Sequence, residues 1–262
     1  MGRIITLTTD FGPKDHYAGA MKGALLSVNP EAVIADISHS VTAGDILGGA
    51  FVMAGACALF PPGTVHVGVV DPGVGGERRA VIVETNNFLF VGPDNGLLSL
   101  AAEADGIRRV IDIKNEKFLR GEVSDTFHGR DVFGPVAGHL SLGIGPEEFG
   151  PPGKDLLMIN TPEPVTSDGA INGEVIHIDS YGNIITNISA AVLESTLGTG
   201  EVELVINGQV VKGPYRFYGE LPPGGLGLLT GSSGLVEAAA REANGAQILK
   251  AEVGDTVRLV KS

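Results

Sequence analysis

Four polar clusters in this chain carry side chains able to do chemistry, and each falls where an apolar run ends. The first is Thr8-Thr9-Asp10-Phe11-Gly12, where a carboxylate just past a strand suits the vicinal hydroxyls of a sugar. The second is Asp71, followed by Pro72, Gly73, Gly75, Gly76 and the pair Arg78-Arg79. A backbone so bare can approach a ligand closely, with a carboxylate and a guanidinium beside it. The third, Thr126-Phe127-His128-Gly129-Arg130-Asp131, sets an imidazole that titrates near neutrality among polar neighbours. The fourth is Asp179-Ser180-Tyr181-Gly182-Asn183-Ile184-Ile185-Thr186-Asn187. Each also has a plainer use: Asp10 as a turn or cap residue, 71–79 as a glycine-rich turn, His128 as a structural histidine, and the fourth cluster as an Asx-rich hairpin turn.

Several chemistries do not fit these clusters. The dinucleotide fingerprint needs a helix after its glycines, whereas Ala80-Val81-Ile82-Val83 reads as a strand. No His-x-x-x-His pair, CxxC or EF-hand spacing occurs, and the six histidines are scattered. A Gly-x-Ser-x-Gly elbow is missing as well. Spacing by itself leads to a small-molecule site built from strand ends and does not name the substrate.

The elements that must position these residues alternate through the first half. Periodicity predicts strands at Ile4–Thr9, Val33–Ile37 and Val65–Val70, and a hairpin of Val81–Glu84 with Phe88–Val91 across Asn86-Asn87. Another strand is predicted at Val110–Ile113. Helices are predicted at Tyr17–Val28, Ile46–Phe60 capped by Asp45, Leu97–Ala104 and Asp131–Leu140. This alternation implies an α/β domain with a parallel-rich sheet and helices on both faces, over residues 1–160. A proline-bearing stretch then reads as a linker, set at 161–169. Residues 170–262 read as a smaller β-rich, barrel-like domain. Its strands are Glu174–Ile178, Ile184–Ile188, Glu201–Ile206, Gln209–Lys212 and Thr256–Val260, with a hairpin at Asn207-Gly208 and one helix at Leu235–Ala243.

With 262 residues the chain can form one large domain or two smaller ones. A formal net charge of −13 without any basic block argues against nucleic acid, which needs clustered Lys and Arg. Ile46–Phe60 is too short to span a bilayer, so no membrane association is expected. Nothing near Arg3 resembles a signal peptide, and Cys57 is the single cysteine, so the expected compartment is the cytoplasm.

Taken together and in order, the motifs become familiar. Thr8–Gly12, Asp71-Pro72-Gly73-Val74-Gly75, Gly92-Pro93-Asp94-Asn95-Gly96, Thr126–Asp131, and Gly182-Asn183 with Thr186-Asn187 resemble those of the S-adenosyl-L-methionine hydrolases, also called SAM hydroxide adenosyltransferases. The resemblance covers essentially the whole chain. It implies hydrolysis of S-adenosylmethionine to adenosine and methionine without a metal or other cofactor, by a homotrimer whose sites lie between subunits. It also implies a catalytic set of Asp71, Arg78 and His128, with Asp10 on the ribose and Asp179 and Asn183 on the methionine moiety. Phe127, Gly129 and Ser232 are implied as further substrate contacts. The related fluorinase and chlorinase share the fold, but typically carry tyrosine where Asp71 stands and do not keep His128. Ile185 and Ser233 depart from the fluorinase pattern, which has an aromatic residue and an arginine at those places.

The residue types suit that reaction. A sulfonium leaves as a neutral thioether and needs no acid, so the difficulty lies in activating and holding water. A carboxylate or imidazole that removes its proton contributes about 10²–10⁴ in rate, and in-line positioning contributes more. Arginine stays protonated and so serves to hold Asp71 ionised; either Asp71 or His128 then receives the proton.

Overall fold

The computed structural model describes residues 4–262, which divide into two compact units, one ending at Ile159 and the other spanning Asn160–Ser262. The first unit is built on β1 (Ile4–Thr9), α1 (Tyr17–Val28), β2 (Val33–Ser38), α2 (Ile46–Cys57), β3 (Val65–Val69), β4 (Ala80–Thr85), β5 (Leu89–Pro93), α3 (Ser99–Asp105), β6 (Ile107–Asp112) and α4 (Gly134–Ser141). Its six strands form a single sheet in the order β2-β1-β3-β5-β4-β6. The β2-β1-β3-β5 neighbours are parallel, while β4 runs antiparallel to both β5 and β6, so the sheet is mixed.

Alternation within the strands feeds two cores. Ile5 and Leu7 of β1, Val65 and Val67 of β3, and Ile82 of β4 bury against Met21 and Leu25 of α1 and Val136 and Leu140 of α4. The opposite face, with Val81, Val83 and Phe90, packs on Met53 and Cys57 of α2 and on Ala101 and Ala102 of α3. The chain therefore leaves β1 for β2 over one face and returns to β3 over the other. Strand order reverses between β1 and β3, whose carboxyl ends lie side by side with Thr9 opposite Val69. Ligands favour such a switch point because both connections turn away from it and leave a crevice.

The second unit holds β7 (Val165–Ser167), β8 (Ala170–Ile178), β9 (Ile184–Ser189), α5 (Ala190–Leu197), β10 (Val202–Ile206), β11 (Gln209–Gly213), β12 (Leu226–Thr230), β13 (Leu235–Ala240), α6 (Gly245–Leu249) and β14 (Thr256–Lys261). The antiparallel path runs β11-β10-β14-β8-β9-β13-β12, with β7 paired to β8. Its two ends approach each other, since the Tyr215 N–H just beyond β11 donates to the Leu228 carbonyl of β12 at 2.7 Å. The sheet is thus nearly closed, around a core that includes Ile171, Val175, Ile184, Leu204, Val236 and Leu259.

Several elements differ from the sequence expectation. The helix expected over Leu235–Ala243 is strand β13, hydrogen-bonded to β9 on one side and β12 on the other. Alanine-rich composition favours helix, but Val236 and Ala238 face the barrel core while Ala239 fills a separate small cluster with Leu221 and Leu229. That two-sided alternation decides the matter, because tertiary pairing outweighs propensity. Residues 165–167, expected within a linker, form β7, and α5 and β12 arise where no element was expected. The helix expected at Asp131–Leu140 starts as a π-turn, Gly129–Phe133, before α4. No helix among the described residues is long and apolar enough to cross a membrane.

Candidate active site

Asp10 follows the last residue of β1, and its N–H donates to the Val69 carbonyl of β3 at 3.4 Å. Its Oδ2 accepts a 2.9 Å hydrogen bond from the Gly44 N–H, which fixes the carboxylate beside the strand ends. Asp71 leaves β3 at the same edge, and the chain then folds back through two short turns. The Val74 N–H donates to the Asp71 carbonyl at 3.2 Å, and the Gly76 N–H to the Gly73 carbonyl at 3.0 Å. Gly75 has φ +76°, and a Cβ there would collide with the Asp125 carbonyl oxygen. Only glycine permits both the turn and the close passage of the 121–128 loop.

The turns deliver Arg78 back onto Asp71. Arg78 Nε donates to both carboxylate oxygens at 3.0 Å, and Nη2 donates to Oδ2 at 2.5 Å. The same Nη2 lies 2.5 Å from His128 Nδ1, and the guanidinium carbon sits 5.4 Å from the centre of the Phe133 ring. The side chains of Arg78 and Asp71 are only 11% and 5% exposed, so little water competes for these bonds.

His128 stands immediately before the π-turn, a form of helix frequent at functional sites. Asp131, fully buried, ties down the loop that precedes it. It accepts from Arg130 Nε and Nη2, each at 2.7 Å, from the Ser124 N–H at 3.0 Å, and from Arg120 at 3.4 Å. Burial, and secondly the Arg78 charge, hold the His128 imidazole below its ordinary pKa, against the opposing pull of Asp71, Asp125 and Asp131. Because a guanidinium has only donors, His128 Nδ1 must accept, and the neutral ring keeps its proton on Nε2.

Asp10, Asp71, Phe127, His128 and Gly129 all line one cavity of about 150 Å³. Its wall is aromatic: the Phe127 ring meets Phe11 at 5.6 Å and Tyr17 at 5.3 Å, both edge to face. A Cβ on Gly129 would come within 2.8 Å of Phe11 Cζ, so this wall needs the glycine. The first three clusters read from the sequence are therefore one place. Arg78 lies against two of its members.

The fourth cluster belongs to the second unit. Asp179 Oδ1 accepts from the N–H groups of Tyr181 and Asn183, and Oδ2 from Asn183 Nδ2, all at 2.9 Å. The segment is indeed an Asx turn between β8 and β9, so its plainer use is realised. The same Asp179 and Asn183 also line a cavity of about 540 Å³, together with Tyr181, Tyr218 and Arg241. Ser232 is exposed in the β12–β13 turn and is not among the residues lining that cavity. Ile185 is buried in β9, opposite Glu237 of β13.

The family model of the SAM hydroxide adenosyltransferase N-terminal domain matches residues 5–150, and that of the C-terminal domain matches residues 173–258. This chain belongs to the SAM hydroxide adenosyltransferase family. An (R)-S-adenosyl-L-methionine hydrolase of Salinispora arenicola is 38% identical over 262 residues, which cover 97% of either chain. A fluorinase of Actinoplanes is more distant, at 28% identity over 78% of either chain. An uncharacterized conserved protein from Thermotoga maritima, known by crystal structure, superposes with a TM-score of 0.92 at 33% identity, covering 98% of this chain and 100% of its own.

In this chain one pair of polar residues in the second unit carried no local sequence signal. Glu237 of β13 is buried at 5% exposure, and the Tyr218 hydroxyl donates to its Oε1. An acidic residue inside an alanine-rich run expected to be helical gives no sign of being buried. A strand reading of 235–240 would have set Glu237 in alternation with core residues, and that is the signal that was available.

Proposed function

We propose that this chain hydrolyses S-adenosyl-L-methionine to adenosine and L-methionine by attack of an activated water on C5′. The observation that carries the reading is Arg78 gripping Asp71 with two nitrogens while touching His128, where Asp71 and His128 line the cavity that also holds Asp10. Family membership and relatives named for that activity support it. As the water oxygen bonds to C5′, the C5′–S bond breaks, its electron pair goes to sulfur, and a neutral thioether departs. The water must also lose a proton.

The hydrogen-bond pattern favours Asp71 as the acceptor of that proton. Arg78 stays protonated and occupies His128 Nδ1, while Nε2 already carries hydrogen. A neutral imidazole in that form donates a hydrogen bond and fixes the water's orientation. Asp71 Oδ1, which accepts only from Arg78 Nε, keeps a lone pair for the proton. Asp10, Phe127 and Gly129 serve the adenosyl group, and Asp179, Asn183 and Ser232 the methionine end. No metal, cofactor, nucleic acid or membrane enters the reading, and its compartment is the cytoplasm.

A halide brings no proton to remove, so a halide transferase would leave Asp71 and His128 without a task. Turnover in ¹⁸O water, followed by mass spectrometry, tests the choice. Label in the 5′-hydroxyl of adenosine is the expected outcome; 5′-chloro-5′-deoxyadenosine as the main product in chloride buffer refutes it. The reading also includes a homotrimer in which one chain supplies Asp71 and His128 and its neighbour supplies Asp179, a ring that closes by rotational symmetry. Mixing His128→Ala with Asp179→Ala protein under subunit exchange, assayed at S-adenosylmethionine well below the wild-type KM so that weakened binding leaves Asp179→Ala slow by itself, is expected to restore part of the activity, whereas a fully active monomer contradicts it.

A further inference from the structure

The motif Gly92-Pro93-Asp94-Asn95-Gly96 does not line the cavity of Asp10, Asp71 and His128. It lies at the carboxyl end of β5, which runs parallel to β3 on one side and antiparallel to β4 on the other. β3 leads into Asp71, and β4 begins directly after Arg78 and Arg79. The motif therefore stands both where the 71–78 segment departs from the sheet and where it returns.

Asn95 holds the departure. Its Oδ1 accepts from the Leu97 N–H at 3.2 Å, which turns Nδ2 to donate to the Val70 carbonyl at 2.8 Å, one residue before Asp71. Asp94 holds the return. Its N–H donates to the Arg79 carbonyl at 2.9 Å, and its Oδ2 accepts from Arg79 Nε at 2.9 Å and Nη2 at 2.6 Å. The Asp94 side chain is only 7% exposed, so little water competes for that pair. The pair is braced on both sides: Arg79 Nη1 donates to Asp112 Oδ1 at 3.1 Å, and the Leu157 N–H donates to Asp94 Oδ1 at 2.8 Å. The grip of Arg78 on Asp71 closes between these two anchors.

We propose that Asp94 and Asn95 are positioning residues for the hydrolysis, clamping both ends of the segment that carries Asp71 and Arg78. The proposal rests on the hydrolase reading above. Glycines at 73, 75 and 76 leave that segment many conformations, so fixed ends are needed to bring the carboxylate and the guanidinium into one register. A misplacement of about 1 Å at a reacting group can cost about 10² in rate. Asp94 has a second task. By keeping the neighbouring Arg79 guanidinium occupied, it leaves Asp71 to Arg78 alone.

The test places Asn95→Ala and Asp94→Asn in two backgrounds, wild type and Asp71→Asn, and measures kcat and the calorimetric Kd for S-adenosylmethionine. In the wild-type background each is expected to lower kcat by about tenfold or more with Kd within about twofold. In the Asp71→Asn background the same substitutions should lower kcat by less than about threefold further, because the group they align is already disabled. A role in stability alone would carry the same penalty into both backgrounds. Asn95→Asp keeps the size and the bond from Leu97 while losing the donor to Val70, and decides the matter if Asn95→Ala does not fold. A kcat within twofold of wild type in both single variants, or an equal loss in both backgrounds, overturns the proposal. Wild-type protein that fails to turn over S-adenosylmethionine refutes the hydrolase reading instead.

Discussion

The two units treat their buried charges in opposite ways. In the first, Asp71 is matched by Arg78, Asp131 by Arg130, and His128 is neutral with its Nδ1 occupied. In the second, Asp179 and Glu237 sit near each other with only neutral donors. A set that balances its own charge is rigid before anything binds, as suits groups that must hold a water and take its proton at one moment. An unbalanced pair gains most when a cation arrives, as suits recognition. Under the proposed function, the contrast gives chemistry to one unit and charge selection to the other.

The largest expected effect tests the chemical half. Asp71→Asn, Arg78→Ala and His128→Ala should each lower kcat by about a hundredfold or more while the Kd for S-adenosylmethionine stays within several-fold. Steady-state rates beside calorimetry make the measurement. Unchanged turnover in both Asp71→Asn and His128→Ala would remove chemistry from this unit. A smaller and opposite pattern is expected at the binding positions. Asp10→Ala and Asp179→Ala should weaken binding by about tenfold with kcat largely kept, because those contacts exist in ground and transition states alike. If Asp179→Ala lowers kcat as much as Asp71→Asn does, the division of labour fails.

The acid limb of the rate profile sharpens the contrast further. Burial and the Arg78 charge lower the His128 pKa from 6.5, so the neutral ring persists below that pH. Protonation would place a hydrogen on Nδ1, facing the Arg78 donor. Activity is therefore present above the lowered pKa and lost as pH falls through it, so the limb should lie below 6.5 in kcat/KM. A limb above 6.5 contradicts the neutral imidazole.

The smallest effect separates this histidine from a structural one. His66 is fully buried in β3, its Nδ1 is 2.7 Å from the Thr6 hydroxyl, and its ring stacks on Phe90 at 5.1 Å. Burial pushes its pKa down to about 4. The unfolded chain takes up that proton near pH 6.5 and the folded one only near pH 4. Stability is thus complete above 6.5 and declines as pH falls toward 4. Melting curves over that range should show the decline, and His66→Gln should flatten part of it without shifting the acid limb of activity.

Much of the first unit was legible because its strands are short apolar runs ended by turn residues, a local signal. The second unit was harder to read. Val236 and Ala238 belong to one side of β13 and Ala239 to the other, yet Leu-Val-Glu-Ala-Ala-Ala is as good a helix as a strand until β9 and β12 pair with it. Glu237 was hidden by that ambiguity, since a residue on an exposed helix and one buried in a strand look alike in one dimension.

By itself the order of residues determined that Asp10 and Asp71 end strands, that glycines let the 71–79 segment turn, and that the motifs together resemble one hydrolase family. Those are properties of neighbours along the chain, governed by φ preference and apolar spacing. Only the tertiary structure decided that Arg78 reaches both Asp71 and a histidine fifty positions on. That contact depends on the strand reversal between β1 and β3 and on the loop that Asp131 anchors. It decided equally that Glu237 is buried next to Asp179 without a cation. Charge balance inside a fold is a sum over groups brought together from distant parts of the chain, and no window of sequence contains its terms.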